Sequence, residues 1–331
     1  MRVLLLADEE IELLLSMKEV MEAVETAFAE KGLGHAQMPA KQYLFYKRHN
    51  GDLRSMPSYL ERLDLSAVKV VSVHPDNPAR YNLPTVMATI VLIDPKRGVP
   101  LAIMGGTTIT AMRTGAAGGI AAKYLARKGS KAIGLIGAGT QARTQLEALA
   151  TLYGELEEVR VWSRTRSTRD RFVSDVKSEC GVQAKLIPVE EVRDAVDGVH
   201  ILVTSTPSME PIISDEWISS GMHITCIGAD APGKQELDPA ILKRSKIVVD
   251  DREQGLHSGE INVPFSKGMI RKEDIWADIC EIVAGLRPGR TSTHEITVFA
   301  STGLAVQDAV TAKLAYDKAA LKGVGKLAEL V

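Results

Sequence analysis

The sequence predicts an α/β protein in which a Rossmann-type, doubly wound parallel sheet is joined to a mixed α+β domain. From residue 131 onward, apolar strand segments alternate with helical segments, and parallel strands need such crossovers. Before residue 105, short β-rich segments follow one another without long helices between them. A chain of 331 residues is also long for a single hydrophobic core, so two domains are expected.

Composition and charge exclude several classes of partner. The formal net charge is −2 with acidic and basic residues interspersed, so neither nucleic acid nor an anionic membrane is expected. The apolar run after Met1 is too short for a secretory signal, and no segment approaches a membrane span, which predicts a cytoplasmic protein. The cysteines form no metal or redox motif and are interpreted as free thiols of a reducing compartment: Cys180, Cys226 and Cys280. No metal site is expected, because ligand spacing is lacking among His35, His49, His200, His223, His257 and His294.

The first domain is expected to span residues 1–115. It opens on a strand at 2–7, followed by a helix that Ser16 caps and that ends at Gly32 and Gly34. Segments rich in β-branched and aliphatic residues follow at 41–46, 68–73, 85–93 and 99–104. Residues 95–98 are predicted to form the hairpin turn between the last two. These segments predict an antiparallel or mixed sheet.

The second domain is expected to span residues 116–302, and a long helix at 105–128 is predicted to lead into it. Its predicted strands are 131–137, 158–163, 184–188, 199–204, 223–228, 246–250 and 295–299. Its predicted helices are 140–153, 168–179, 189–196 and 238–244. A last helix has an apolar stripe that must be covered, and the simplest cover is the first domain. Residues 303–331 are therefore expected to return to that domain.

The turn after the first strand of this domain carries a G-x-G-x-x-A pattern. Gly137 permits a tight turn, Gly139 lets a pyrophosphate approach the backbone, and Ala142 lets helix and strand pack closely. Thr140 and Gln141 begin the helix, whose first N–H groups and dipole would face the phosphates. The strand–turn–helix context therefore predicts a dinucleotide cofactor, NADP or NAD.

The residues at the end of the next predicted strand, 158–163, bear on the choice between NADP and NAD. An enzyme that prefers NAD usually has an acidic residue there to hold the ribose 2′-hydroxyl. Ser163, Arg164 and Thr165 instead offer donors and positive charge that suit a 2′-phosphate, which favours NADP. The alternative is that the arginine is only a solvated loop residue.

Four cations of the first domain favour an anionic substrate. Lys41 and Arg54 are placed at strand ends or turns, and Arg113 at the start of a helix of small residues. Lys69 lies inside an apolar strand segment, where a lysine should either snorkel to solvent or meet an anion. For any one of them a surface charge or an internal salt bridge is the alternative, and the four together carry the inference.

One carboxylate complements these cations. Asp230 follows a strand of the second domain, at the end where open α/β sheets hold their ligands. It would relay a proton or pair with a substrate nitrogen, and the alternative is a cap or turn aspartate. His74 is interpreted either as a proton shuttle or as a residue that stabilises a turn between prolines.

Six separated motifs resemble the ornithine cyclodeaminase/μ-crystallin family. The resemblance spans nearly the whole chain and is closest to the branch of archaeal alanine dehydrogenase and Δ1-pyrroline-2-carboxylate reductase. It rests on Met-Pro-Ala-Lys at 38–41, Lys69 with Val-His-Pro-Asp-Asn at 73–77, Met-Arg-Thr-Gly-Ala-Ala at 112–117, Gly-Ala-Gly-Thr-Gln-Ala at 137–142, Gly-Ala-Asp-Ala-Pro-Gly-Lys-Gln-Glu-Leu at 228–237 and Ser-Thr-Gly at 301–303.

The resemblance implies a homodimer whose first domain supplies substrate contacts and the subunit interface. The implied catalytic residues are Lys69, beside the reacting carbon and nitrogen, and Asp230, at the nitrogen. The implied contacts to the substrate are Lys41, Arg54 and Arg113 at its carboxylate, with Thr302 and Gly303. The implied cofactor residues are Thr85, Arg113, Thr114, Gly137, Gly139, Thr140, Gln141, Ala142, Ser163, Arg164, Thr165, Thr204, Ser205, Thr206, Ile227, Gly228 and Ser301.

One departure from the family pattern narrows the expected activity. Cyclodeaminases resemble this chain but carry Glu where Arg54 stands, to serve the second amino group of ornithine. A cation there should repel a protonated side-chain amine, which demotes cyclodeamination.

The expected reaction is NAD(P)H-dependent reduction of an α-imino acid. Δ1-pyrroline-2-carboxylate, giving L-proline, is placed narrowly ahead of pyruvate plus ammonia, giving L-alanine, because its imine arrives preformed. The alternative from another class is a non-catalytic protein that binds NADP(H) and a small ligand, as μ-crystallin is thought to do.

Overall fold

The computed structural model describes residues 2–179 and 182–330. The strands are β1 (Arg2–Leu6), β2 (Ala36–Gln37), β3 (Gln42–Tyr46), β4 (Gly51–Leu60), β5 (Leu65–Val73), β6 (Val86–Asp94), β7 (Val99–Gly105), β8 (Ala132–Ile136), β9 (Glu158–Trp162), β10 (Lys185–Pro188), β11 (Ile201–Thr204), β12 (His223–Cys226), β13 (Ser245–Val249), β14 (Ile275–Asp278), β15 (Ile296–Ala300) and β16 (Lys326–Glu329). The helices are α1 (Asp8–Leu14), α2 (Met17–Gly32), α3 (Asn77–Tyr81), α4 (Thr107–Leu125), α5 (Thr140–Tyr153), α6 (Arg166–Glu179), α7 (Val192–Val196), α8 (Pro239–Lys243), α9 (Arg252–Ser258), α10 (Asn262–Ser266), α11 (Ile279–Val283) and α12 (Ala305–Lys322).

The chain divides into two compact units, and the boundary falls within α4. Unit 1 comprises Met1–Arg113 and Leu304–Val331, and unit 2 comprises Thr114–Gly303. The C-terminal segment thus belongs to the same unit as the N-terminal one. Among the described residues, no helix is long and apolar enough to cross a membrane.

Unit 1 is built on a mixed sheet with the strand order β16-β1-β7-β6-β5-β4-β2, and β3 also pairs with β4. β1 runs parallel to β7, and the other neighbouring pairs are antiparallel. The predicted turn at 95–98 connects β6 to β7. Helix α12 packs against α2 and against β4, β5 and β6. Its alanine-rich face, with Ala305, Ala309 and Ala312 almost fully buried, lets the helix lie close to this sheet.

Unit 2 is built on a sheet of parallel strands in the order β10-β9-β8-β11-β12-β15-β13-β14. The six strands from β10 to β15 follow the 3-2-1-4-5-6 order of dinucleotide-binding sheets, and β13 and β14 extend it. The doubly wound parallel sheet predicted from the sequence is thereby confirmed. The strand order reverses between β8 and β11, which is where sheets of this type bind their ligands.

Several local predictions differ from the structure. Arg54 lies inside the ten-residue strand β4 rather than at a strand end or turn, because its flanking residues alternate between the two faces of the sheet. Arg113 lies in the second turn of α4 and not at the helix start, because α4 begins at Thr107. The strand β4 and the short strands β2, β14 and β16 were not predicted. Cys226 and Cys280 are buried, and Cys180 lies outside the described residues.

Candidate active site

The predicted dinucleotide turn lies between β8 and α5. Gly137 has φ +111°, a conformation that L side chains rarely adopt, and an added Cβ would lie 2.6 Å from Ser205 Oγ. Gly139 is the N-cap of α5, and no atom of the described structure lies within 4 Å of the position its Cβ would take. Ala142 is fully buried against the sheet. The turn is therefore tight at the first glycine, open at the second and closely packed at the alanine, as a pyrophosphate site requires.

A buried carboxylate fixes the loops after β11 and β12, next to this turn in unit 2. Glu236 Oε1 accepts from Thr206 N and Thr206 Oγ1, both at 2.7 Å. Its Oε2 accepts from Thr204 Oγ1 at 2.8 Å and from Gly228 N at 3.1 Å. Four donors on one carboxylate hold both loops at the carboxyl ends of adjacent strands. The end of β11 and these loops carry five of the twelve predicted cofactor residues that lie outside the glycine turn: Thr204, Ser205, Thr206, Ile227 and Gly228.

A second buried acid supports the first. Glu260 accepts from the backbone N–H groups of Glu236 and Leu237, and both acids are at most 1 % exposed. Burial raises the pKa of Glu236 to about 7, against the effect of its hydrogen-bond donors. Burial and the charge of Glu236 also raise the pKa of Glu260 well above its usual range. The two acids sit close enough that their protonation is linked.

Asp230 lies in the loop that follows β12. It is only partly buried, and Lys234 Nζ lies 2.6 Å from its Oδ1 and 3.4 Å from Gly228 O. Asn262 in turn holds this loop through Gly233 N and Lys234 O. The structure thus places Asp230 beside a cation at the carboxyl end of the sheet, as expected from its position in the sequence. Lys234 is a contact that the sequence analysis did not single out.

A third carboxylate organises the segment after β15. Asp250 directly follows β13 and accepts from Ser301 Oγ, Thr302 N, Thr302 Oγ1 and Gly303 N at distances between 2.6 and 3.1 Å. Asp250 is fully buried. The predicted Ser-Thr-Gly segment is therefore held rigidly by an acid that sequence reasoning missed.

The remaining predicted cofactor residues are dispersed. Ser163 is half-buried at the end of β9, whereas Arg164 and Thr165 are exposed. Thr114 is buried in α4, and its carbonyl accepts from Gln145 Nε2 of α5 at 2.7 Å. Thr85 belongs to unit 1 and precedes β6, where its carbonyl accepts from a backbone N–H.

A buried cluster of charges lies in unit 1 where β5, α4 and α12 meet. Lys69 Nζ donates to Asp308 Oδ1 at 2.8 Å and to Thr110 Oγ1 at 3.3 Å. Arg113 donates from Nε to the same oxygen of Asp308 at 3.0 Å and from Nη1 to Gln307 Oε1 at 2.8 Å. Lys69 is 1 % exposed and Arg113 6 %. Lys69 therefore meets an internal anion, which is the alternative that the sequence had left open.

When Lys69 is protonated, the two cations and one carboxylate of this cluster leave an excess of positive charge. Burial lowers the pKa of Lys69 to about 7, the charges of Arg113 and Lys41 lower it as well, and Asp308 opposes them. Lys69 and Arg113 thus share one oxygen of Asp308. Lys41 lies near enough for its charge to repel that of Lys69. An anion that enters such a cluster is stabilised by charge-assisted hydrogen bonds.

The fourth predicted cation, Arg54, pairs with a carboxylate of its own strand. Arg54 is 5 % exposed, and its Nε and Nη2 contact the two oxygens of Asp52 at 2.8 and 3.1 Å. Its guanidinium also lies over the ring of Tyr43, 5.4 Å from the centroid. Within the parts of the chain that the structure describes, no group of three or more His, Cys, Asp or Glu residues could hold a metal ion.

Comparison with known proteins places this arrangement in a family. The model of the ornithine cyclodeaminase/mu-crystallin family matches residues 1–323. The chain is 51 % identical to an alanine dehydrogenase of Archaeoglobus fulgidus over 325 residues, which is 98 % of each protein. A solved archaeal alanine dehydrogenase dimer with bound NAD superposes with a TM-score of 0.94 at 49 % identity, and both chains are covered completely.

A second solved structure is almost as similar. The Δ1-pyrroline-2-carboxylate reductase of Thermococcus litoralis, in complex with NADH and L-proline, superposes with a TM-score of 0.94 at 46 % identity, over 98 % of this chain and 99 % of that one. The match of the family model over nearly the whole length, together with these relatives, shows that the chain belongs to the ornithine cyclodeaminase/mu-crystallin family.

Proposed function

We propose that this chain reduces an α-imino acid with NAD(P)H, and that its substrate is Δ1-pyrroline-2-carboxylate, giving L-proline. The chain is an oxidoreductase of amino or imino acids, as its family membership and its relatives support. The balanced reaction joins the imine, one hydride and one proton to give the amine. The hydride comes from the dinucleotide, and the residues of the chain must hold both ligands and deliver the proton.

The observation that carries this proposal is the buried excess of positive charge in unit 1. Lys69 and Arg113 are both buried and share a single oxygen of Asp308. Burying an uncompensated charge is costly, so proteins rarely keep this arrangement without an anion to bind. A substrate carboxylate supplies the missing charge, and Arg113 suits it because a guanidinium binds carboxylates in a fixed geometry.

Each proposed catalytic residue has a distinct part. Lys69 delivers the proton, because a pKa of about 7 lets an ammonium both lose and regain it near neutral pH. Asp230 contacts the imine nitrogen and stabilises the positive charge that the nitrogen carries once it is protonated. Arg113, with Lys41 and Arg54, fixes the carboxylate and so orients the reacting carbon.

The dinucleotide is assigned to unit 2, where the residues present fit it. The open position at Gly139 and the first turn of α5 suit a pyrophosphate, and the loops held by Glu236 suit the nicotinamide half. NADP is the proposed cofactor of choice, because Ser163 and Arg164 offer donors and charge at the end of β9. NAD, which the solved alanine dehydrogenase binds, is the other candidate.

A homodimer is proposed as the working assembly. The solved alanine dehydrogenase is a dimer. In unit 1 of this chain, β3 exposes apolar side chains on the surface of the sheet: Leu44, Phe45 and Tyr46 are 59, 62 and 37 % exposed. An apolar cluster of this kind on a sheet edge is typical of a surface that a second subunit covers.

Alanine dehydrogenase activity is the second candidate. The specific observation in its favour is the 51 % identity to the Archaeoglobus fulgidus enzyme. It uses the same hydride and proton chemistry on the imine of pyruvate, but that imine must first form from ammonia with loss of water. The cyclic imine needs no such step, so it demands less of the same residues.

Steady-state assays separate the two candidates. The purified chain should oxidise NADPH or NADH with Δ1-pyrroline-2-carboxylate and form L-proline. No oxidation with this substrate, alongside turnover with pyruvate and ammonium, would leave alanine dehydrogenase as the function.

A matched pair of variants tests whether the charge cluster of unit 1 carries the activity. Arg113→Ala removes a buried partner of a charge pair and should lower kcat/KM by roughly 100-fold or more. Arg80→Ala, at an exposed arginine of α3 in the same unit, should leave kcat/KM unchanged. Retained turnover in Arg113→Ala would reject the assigned site. A protein that only binds its ligands would show no turnover in any form.

A further inference from the structure

Helix α12 brings a buried acid to the one lysine proposed to move a proton. Asp308 is 1 % exposed and accepts from Lys69 Nζ and Arg113 Nε at the same oxygen. Its other oxygen, Oδ2, is also buried and has no hydrogen-bond partner among the described residues. The carboxylate is therefore held by the two cations and not by neutral donors.

The charges that face Lys69 come from separate elements of unit 1. Asp308 comes from α12, Arg113 from α4, and Lys41 from the segment before β3. The residues paired with Lys69 on the adjacent strands β4 and β6 are Met56 and Ile90, which carry no charge. Arg54, two residues before Met56 on β4, is paired with Asp52. Asp308 is thus the anion that offsets the two cations nearest the lysine.

We propose that Asp308 is a positioning residue that holds the Lys69 side chain in place and keeps it charged, so that a proton is ready for each reduction. The proposal rests on the proposed function, because it assigns the proton of imine reduction to Lys69. In the reaction, the lysine N–H bond breaks as the proton passes to the substrate nitrogen, and the neutral amine is then recharged from solvent. Asp308 touches neither the substrate nor the dinucleotide in this account.

Gln307 provides a matched comparison on the same helix turn. It is as buried as Asp308 and also contacts Arg113, but it is neutral and makes no hydrogen bond to Lys69 among the described residues. If the cluster only requires that Arg113 is held in place, replacing Gln307 and replacing Asp308 should affect the activity in the same way. If the charge on Lys69 matters, only the change at Asp308 should alter the pH dependence.

The test compares pH profiles of kcat/KM for the cyclic imine in the wild-type chain and three variants. In Asp308→Asn the loss of activity at alkaline pH should begin at least about one pH unit lower than in the wild type, since a nearby opposite charge shifts a pKa by about 1–3 units. Gln307→Leu should raise KM and leave the profile in place. Asp317→Asn, at an exposed aspartate of α12, should match the wild type in both respects.

A second readout needs no substrate. For a lysine whose pKa is about 7 when folded and 10.5 when unfolded, the free energy of unfolding rises with pH between these values, because the unfolded chain binds more protons. In Asp308→Asn this rise should begin at lower pH, and in the Lys69→Met variant it should be absent. Asp308→Glu keeps the charge and should retain the wild-type window, even where its activity is reduced.

The outcomes separate the two proposals. A wild-type chain that reduces no imine defeats the proposed function, while the unfolding measurements still decide the part of Asp308. An Asp308→Asn variant that loses activity equally at every pH, with an unmoved unfolding window, shows that Asp308 only stabilises the fold. An Asp308→Glu variant whose window moves by about one unit or more contradicts the inference as well, and this variant remains available if Asp308→Asn does not fold.

Discussion

Replacing Glu236 by glutamine should weaken unit 2 and its hold on the dinucleotide. Each oxygen of Glu236 accepts one backbone N–H and one threonine hydroxyl. A hydroxyl can turn to accept from the new amide, but a backbone N–H cannot. Whichever way the glutamine lies, its NH₂ therefore faces a backbone N–H, of Thr206 or of Gly228, and leaves it without an acceptor.

The magnitude follows from that one lost acceptor. A buried N–H without a partner costs about 1–3 kcal/mol, so the free energy of unfolding should fall by about that amount. The same loops carry predicted cofactor residues. If the loops move to give the unpaired N–H a new partner, binding of the dinucleotide must return them to their original positions. Each 1.4 kcal/mol that this return costs weakens dinucleotide binding roughly tenfold.

The pH dependence of the free energy of unfolding distinguishes this effect from a general loss of stability. The pKa of Glu236 is raised from 4.5 to about 7, so the folded state binds the extra proton between these values and wild-type stability falls as pH rises. Glutamine does not titrate, so the difference between wild type and Glu236→Gln should be larger near pH 5 than near pH 8.

Urea unfolding at both pH values and fluorescence titration with NADH measure these effects. Glu210→Gln, at an exposed glutamate in the same unit, is the control and should stay within about 0.5 kcal/mol of wild type. A Glu236→Gln variant as stable as the control, or one whose deficit grows from pH 5 to pH 8, would refute the reasoning.

Three further substitutions test the dinucleotide site. Gly139→Val adds a side chain where no described atom lies within 4 Å, so the fold should keep its stability while NADH binding is lost. Gly137 has φ +111° and lies against Ser205, so Gly137→Ala should instead destabilise the chain by at least about 1 kcal/mol in thermal unfolding. Arg164→Ala should raise KM for NADPH about tenfold and leave KM for NADH unchanged, since only the former has a 2′-phosphate to bind. Equal changes for both dinucleotides would argue against the NADP preference.

The parallel sheet was predictable because its signals are local. β8, the glycine turn and α5 follow one another directly, and the alternation of strand and helix continues through β12. β14 and β16 have four residues each, which is too short for a periodic pattern to reveal a strand, and β16 is also mostly exposed. Arg54 was misplaced because β4 contains Pro57, and a proline next to polar residues indicates a turn.

The carboxylates of the candidate site were missed for a different reason. Lys69 and Asp308 are 239 positions apart in the chain, and nothing near the lysine indicates which acid will reach it. One signal was present: Gln307 and Asp308 stand between Val306 and Ala309 in the apolar part of the last helix, and an acid at such a position must find a buried partner. Glu236 and Glu260 lie in segments without helical or strand periodicity, so they carried no comparable signal.

The buried acids of unit 2 have a structural explanation that requires no proton transfer. A perturbed acid at the end of a parallel sheet is often a catalytic candidate, and the raised pKa of Glu236 invites that interpretation. Yet Glu236 and Asp250 each accept four hydrogen bonds from loop donors, which fills the acceptor positions of a carboxylate. No amide or hydroxyl side chain can accept four. The raised pKa of Glu236 is thus the consequence of burying the one side chain that can join these loops, and we infer a structural part for it.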